Sequence, residues 1–387
     1  MTLYDDFDSP LRGIKIKIFP TEDQIKEIEF NIATARAVYN MALHIQKSNY
    51  DSGGTFIQYF DMINKFNELK KLPEYDWMNK VSAGTIQGAL RNLDSAYDLF
   101  FKKASKFPRF KIKKNRHQSV SMRSDRSHAK GEYFKVSGIH GLIKTGIHII
   151  DDDVKVNNIT ISTNGYGEYF LSFSIKRPPK SLDIPISEPL GIDVGIRNLI
   201  TTSNGDYYHL SDSSIYERRL KRINRKFCKY QKRYLDISIH TKTKYDDVPK
   251  SKRYEKVAKK LYKTIKKISD KRLYDIHNAT KRIIESNPSA IVIENIKASK
   301  MIKQSRFLSK DYPKMMFAEI HKQLKYKAED RNIPVIIADK YYPSSQLCSR
   351  CGFRQKILGH IYKCPICGLE IDRDLNAALN LKKLADR

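Results

Sequence analysis

Leu190-Gly-Ile-Asp-Val-Gly-Ile196 is a short apolar run with one aspartate, Asp193, at its centre. Aspartate is depleted in strands, and an unpaired buried carboxylate costs several kcal/mol, so the acid needs a reason. Downstream, Asn198 to Thr202 and Tyr207 to Leu210 read as strands joined by a hairpin turn at Ser203-Asn-Gly-Asp206. Further on, Ser289-Ala-Ile-Val-Ile-Glu-Asn-Ile296 has four consecutive apolar residues, Ala290 to Ile293, as in a strand covered on both faces. Pro313 to Arg331 is amphipathic and helical, Pro334 to Ala338 is another buried strand, and Asp374 to Leu384 is a last helix. Three strands, helices, strand, helix, strand, insert and helix make an α/β unit with a mixed sheet.

Two more acids join Asp193. Glu294 ends the second buried strand, and ligands in open α/β folds sit beyond the carboxyl ends of strands. Asp374 opens the last helix beside Asp372. Each acid has a plain alternative: Asp374 as a helix cap, Glu294 as a solvated strand end. Together, three carboxylates converging in a basic protein need hard cations. Magnesium prefers oxygen ligands and shares its sphere with substrate phosphate. Two such ions, about 3.5–4 Å apart, activate water and stabilise a leaving oxygen in phosphodiester hydrolysis. No phosphate-binding G-x-x-x-x-G-K-[ST], G-x-S-x-G or H-E-x-x-H string is present, so ATP-driven and serine-hydrolase mechanisms have no support.

The chain has 387 residues, enough for two or three domains, and 72 Lys or Arg against 43 Asp or Glu, a net +29. Such a charge is best tolerated when the working state includes a polyanion, and nucleic acid is favoured over an anionic membrane or acidic protein. From Arg218 to Arg282 there are 24 basic and 6 acidic residues, read as two long helices broken near Asp246 to Pro249. No apolar run reaches the ~18 residues of a membrane span, and the acidic start lacks a signal-like apolar region. A cytoplasmic location and no membrane partner are expected.

Cys348, Cys351, Cys364 and Cys367 form two C-x2-C pairs separated by twelve residues, each followed by glycine. Four thiolates suit one tetrahedral zinc ion with no open position, a structural site. The lone Cys228 reads as an inert helix residue.

Towards the N-terminus, Leu11 to Phe19 alternates like a half-exposed strand. Thr21 and Gln24 form a capping box for a helix with Ile25, Ile28, Ile32, Ala35, Tyr39 and Ala42 on one face. Helices are expected again near Phe56–Leu69 and Ser82–Ala104. Lys102, Lys103, Lys106, Arg109, Lys111, Lys113, Lys114 and Arg116 then follow with no acid among them and with Phe107 and Phe110 interleaved, a pattern suited to a phosphate backbone with stacked bases. Short β runs occupy Tyr133 to Lys176, and Pro178, Pro179 and Pro185 mark a linker. The first strand is expected to join this β module, with the helices inserted.

Gly191-Ile-Asp-Val-Gly-Ile, Ile293-Glu-Asn-Ile, Ser344-Ser-Gln-Leu-Cys-Ser-Arg-Cys-Gly and Asp372-Arg-Asp-Leu-Asn-Ala-Ala-Leu-Asn resemble TnpB, the RNA-guided nuclease family of bacterial insertion sequences, similar to compact type V CRISPR effectors. Phe19-Pro-Thr, Phe107-Pro-Arg-Phe and Gln323-Leu-Lys-Tyr-Lys-Ala-Glu match as well. The resemblance implies an RNase H-like (RuvC) nuclease domain, α/β, with a zinc-ribbon insert, and an N-terminal wedge β-barrel interrupted by a helical recognition module. Its implied boundaries are 1–20 and 106–186 for the wedge and 21–105 for the helical module. Residues 187–343 and 371–387 would form the nuclease domain, and 344–370 the zinc module. It implies that Asp193, Glu294 and Asp374 bind catalytic magnesium. It implies a guide RNA from the transposon end, a double-stranded DNA target beside a short adjacent motif, and one or two protein chains per RNA. Tyr50 to Gln58 and Lys102 to Arg116 are the stretches expected near that motif. A nuclease-inactive RNA-guided regulator and a transposase or accessory factor are the alternatives.

Overall fold

A computed structural model of the chain describes residues 11–113, 117–123, 127–147, 156–176, 185–195, 197–242, 244, 248–295, 316–357 and 359–385. It divides into two compact units, residues 1–177 and 178–387.

In the first unit, strand β1 (Leu11–Ile18) pairs antiparallel with β7 (Tyr169–Lys176), more than 150 residues away in sequence. The sheet continues through β6 (Val156–Thr163) to β2 (Gln118–Met122). A second antiparallel sheet holds β3 (His128–Lys130), β4 (Tyr133–Lys135) and β5 (Ile143–Lys144). One bridge, Phe19 to Lys144, joins the two. Among the described residues no ladder links β2 to β3.

Helices α1 (Glu22–Asp51), α2 (Tyr59–Leu69) and α3 (Ala83–Phe101), with a 3-10 turn at Pro73–Lys80, lie in sequence between β1 and β2. The capping box forms as expected, Thr21 with Gln24, and the Gln24 amide also donates to the carbonyls of His140 and Leu142. Ile28, Ile32, Ala35, Tyr39 and Ala42 are buried in one core with strand residues such as Ile161 and Leu171.

The second unit is built on a five-stranded mixed sheet. Its order is β10 (Tyr207–Tyr208), β9 (Ile200–Thr202), β8 (Leu190–Asp193), β11 (Ile291–Ile293) and β12 (Val335–Ile337). The first three are antiparallel, and β8, β11 and β12 are parallel. Alternation assigns the two faces. Leu190, Ile192, Ile291 and Ile293 enter a core with Ile276 and Ile283 of α5 (Lys252–Glu285) and Ile320 and Leu324 of α6 (Phe317–Glu329). Val292, on the other face, packs with Leu381 of α7 (Arg373–Lys382).

Gly191 shares that second face and is the point of closest approach. A β-carbon there would fall within 3 Å of the Ala378 carbonyl oxygen and the Lys382 amide nitrogen, both backbone atoms of α7. Neither can move without moving the helix.

The long basic helices are α4 (Ser214–Thr241) and α5. They meet through a small cluster of Tyr234, Val248, Tyr254 and Ala258, with the Tyr234 hydroxyl accepting from the Ser251 amide. Ile265 of α5 is about half exposed. No helix among the described residues is long and apolar enough to cross a membrane.

Gly191→Ala should therefore destabilise the chain by about 1–3 kcal/mol, the usual range for overpacking. Urea unfolding would show this as a lower midpoint at unchanged slope. A native midpoint would mean that α7 shifts freely on the sheet.

Candidate metal-dependent nuclease centre

β8 and β11 run parallel with Ile192 opposite Ile293. One residue further, Asp193 and Glu294 leave the carboxyl ends of adjacent strands together. Both share parity with Gly191 and Val292, so both stand on the α7 face. Asp374 sits in the first turn of α7, only 9% exposed. The structure thus brings all three sequence-expected acids to one face of one sheet.

Their electrostatics agree. Burial first, then the charges of Asp374 and Glu294, push the Asp193 carboxyl well above its ordinary range, with Arg373 acting the other way. Asp193 keeps some exposed surface, yet protein atoms surround it densely. Burial also raises Glu294. A partner for Asp374 is the side-chain amide of Asn198, which donates to its Oδ2 at 3.2 Å. The cap of α7 is Asp372, not Asp374. The Asp372 carboxylate accepts from the amides of Asp374 and Leu375 and pairs with Arg197 at 3.2 Å. That leaves the Asp374 side chain out of the cap and beside Asp193. Sequence reading missed Asn198, Arg197 and the capping role of Asp372.

Three oxygen-donor acids, with the charges of Asp374 and Glu294 both acting on Asp193, are a donor set that fits a hard divalent cation. They share a face but are not drawn together as the cysteines are. The cysteines are the group of three or more such ligands, among the described residues, whose donor atoms lie within 4.8 Å of one another.

The cysteine module is two similar knuckles and a hairpin of β13 (Ile361–Lys363) and β14 (Glu370–Asp372). Cys348 accepts at its carbonyl from Gly352, and Cys364 from Gly368; both glycines have positive φ, 78° and 68°. The sulfurs of Cys348 and Cys367, and of Cys351 and Cys364, are 3.5 Å apart. Tetrahedral zinc with ~2.3 Å bonds needs sulfurs about 3.8 Å apart, so the set fits. Burial opposes the Cys348 thiolate, but amides of Cys351 and Arg350 aimed at the sulfur hold the thiol down, to about 6. Cys228 is exposed on α4.

α7 ties this module to the acids. Asn376 and Asn380, one turn apart and fully or almost fully buried, donate to the Leu347 carbonyl, and Asn380 also to that of Ser344. The Ser349 amide donates back to Asn376. In Asp374-Leu-Asn-Ala-Ala-Leu-Asn380, the acid acts on Asp193, the asparagines hold the cysteine loop, and Ala378 admits Gly191.

The basic stretch is not a strand. Residues 102–113 are irregular and exposed apart from Pro108. Lys102 caps α3, and Lys103, Lys106, Arg109 and Lys113 lie on the surface. Lys111 is pinned: its backbone is held on both sides by the Asn40 side chain, and its ammonium lies 4.1 Å from the Tyr39 ring centre. Phe107 packs edge-on against Tyr97 and Phe100, whereas Phe110 is 51% exposed. Lys114 and Arg116 lie outside the described residues. In the same unit, a polar cleft of about 520 Å³ opens between α3 and strands β2 and β6, lined by Gln87, Arg91, Asn92, Arg123 and Asn158 among others.

Three family models match this chain: "Helix-turn-helix domain" over residues 11–55, "Probable transposase" over 173–305, and "Cas12f1-like, TNB domain" over 317–381. A protein of Streptomyces pristinaespiralis named putative RNA-guided DNA endonuclease is 27% identical, over 96% of this chain and 88% of its own length. The putative RNA-guided DNA endonuclease InsQ of Escherichia coli K12 is 24% identical, over 96% and 91%. The chain belongs to the TnpB family. A solved Cas12f1–sgRNA–target DNA complex shares the fold, with a TM-score of 0.55 at 14% identity over 97% of this chain and 99% of that one. In this TnpB-family chain, the span matched as helix-turn-helix is a strand followed by one 30-residue helix. The span matched to the TNB domain contains all four cysteines and Asp374.

Two outcomes follow. The raised Asp193 and Glu294 bind protons more tightly in the folded chain than in the unfolded one. Their contribution to stability is present below their ordinary values of 3.8 and 4.5, and is lost as pH rises through the raised ones. Metal-free protein should therefore lose melting temperature between about pH 4 and neutrality, and Asp193→Asn should flatten that slope and raise the neutral-pH value. Separately, Asn380→Ala takes from the buried Ser344 carbonyl its side-chain donor, leaves Asn376 alone on the Leu347 carbonyl, and should cost about 1–3 kcal/mol in chemical denaturation.

Proposed function

We propose that this chain is an RNA-guided DNA endonuclease of an insertion sequence. Its cleavage centre is Asp193, Glu294 and Asp374. The observation that carries the reading is the convergence of these three acids on the α7 face of the mixed sheet, in a chain of the TnpB family with a net charge of +29. The curated relatives' names and the shared Cas12f1 fold support it. We read the second unit as an RNase H-like (RuvC) domain with a zinc ribbon, and the first as a wedge barrel carrying an inserted helical module.

The three acids would hold divalent magnesium, two ions in our reading, which when bound activates water and neutralises charge on the scissile phosphate. The chain's own groups prepare that site. Asn198 orients Asp374, Asp372 caps α7 so that Asp374 is not consumed as a cap, and the Arg197–Asp372 pair sets the charge at the rim. Cys348, Cys351, Cys364 and Cys367 would hold one structural zinc, locking the loop that the α7 asparagines grip.

The partners are a guide RNA from the transposon end and double-stranded DNA beside a short motif. Base pairing supplies the sequence choice. The exposed cations of 102–113 and of α4 and α5 suit phosphate contacts. The amides and guanidiniums of the α3 cleft suit base edges, since Arg, Asn and Gln pair bidentately with them.

The test is to express the chain with its native flanking DNA and sequence the RNA that copurifies. A single RNA ending at the element boundary is expected. A plasmid library carrying the matching target should then be cut in Mg²⁺ and not in EDTA. Asp193→Ala, Glu294→Ala and Asp374→Ala should each lose more activity than the ~10–100-fold typical of an outer partner, while retaining the RNA. Random, salt-removable RNA with no guided cutting would overturn the proposal.

A further inference from the structure

Thr201 of β9 stands directly opposite Asp193 in the antiparallel β8–β9 pair, and opposite Tyr207 in the β9–β10 pair. Facing residues of an antiparallel pair project from the same side, with Cβ atoms about 4.5–5.5 Å apart. Thr201 is therefore on the face that carries the acids. Its neighbour Ile200 confirms the parity, because it belongs to the core on the opposite face.

The hydroxyl of Thr201 is buried, the residue being 1% exposed, and it makes no hydrogen bond among the described residues. A buried hydroxyl left so pays the loss of its hydration with no bond in return. Valine has the same branched shape, suits a strand and carries no such cost. The next two hydroxyls in the chain are committed. Thr202 donates to the Asp206 carboxylate, and Ser203 accepts from the Gly191 amide. Of the three, the one without a partner is the one beside the carboxylates.

We propose that Thr201 is a positioning residue of the acid centre: its hydroxyl donates to the Asp193 carboxylate in the metal-loaded state, fixing which oxygen is presented to the cation. Carboxylates that ligate metals are themselves held by hydrogen bonds, and losing such a partner typically weakens metal affinity by ~10–100-fold. The inference rests on the reading of Asp193 as a metal ligand.

The experiment uses the full chain with its copurified RNA as the native protein, Thr201→Val, Thr201→Ser and Asp193→Ala. One readout is the rise in melting temperature on titrating Mg²⁺ alone, without target. The second is the Mg²⁺ concentration giving half-maximal cleavage. Thr201→Val should need ~10–100-fold more Mg²⁺ in both, with RNA retention kept and a metal-free melting temperature no lower than native. Thr201→Ser should restore the native response to within a few-fold. A Thr201→Val protein with native Mg²⁺ dependence overturns the proposal. So does equal impairment of Val and Ser with a lowered metal-free melting temperature, which would mark a packing role alone. If Asp193→Ala keeps the full Mg²⁺ response, it is the reading of Asp193 that fails, and Thr201 falls with it.

Discussion

The second unit depends on one backbone contact, the seating of α7 on Gly191. A carbonyl and an amide of the helix occupy the space that any side chain at 191 would need. Three consequences follow from that closeness. The first turn of α7 is carried to the carboxyl end of β8, near enough for the Asp374 charge to act on Asp193. Ala377 and Ala378 must be small, and both are buried. The two buried asparagines of the helix, Asn376 and Asn380, are left to face the cysteine loop. Packing and chemistry are thus set by the same ten residues.

The acids pull against this arrangement. Burial and the charges of Asp374 and Glu294 raise the Asp193 carboxyl, and Arg373 offsets this only in part. A fold that gathers such charges without a neutralising partner gives up stability to do so. The opposing stabilisation is visible in the apolar core on the other face of the sheet, where strands β8 and β11 pack against α5 and α6. One face of the sheet stabilises the unit, and the other holds the destabilising groups that a cation would relieve.

Much of this was legible in the sequence because it breaks local rules. An aspartate inside Leu190–Ile196, an acid closing Ala290–Ile293 and four cysteines in paired spacing each stand out against composition. The capping box at Thr21 was legible because its signal is wholly local. What was not legible depends on register or on contacts distant in the chain. Thr201 is an ordinary strand residue until the β8–β9 pairing puts it across from Asp193. Asn198 looks like a turn residue until Asp374, 176 positions away, arrives beside it. Asp372 and Asp374 are equivalent candidates for a helix cap by sequence, and only the backbone geometry separates them. Lys111 reads as one cation among eight, yet Asn40 and Tyr39 hold it against α1.

The cysteine module is best understood through the same helix. Its loop is gripped at Ser344, Leu347 and Ser349 by two buried asparagines. Those asparagines lie two and six residues beyond Asp374 on a single rigid element. An α-helix has little freedom to move one turn without moving the next. A cysteine cluster that loses its order therefore does more than free a surface ribbon: it removes the partners of Asn376 and Asn380 and leaves buried amides unsatisfied. The strain is relieved most directly by a shift of α7, and any shift of α7 withdraws Asp374 from Asp193. A structural zinc ion held by the four cysteines would in this way govern the spacing between Asp374 and Asp193.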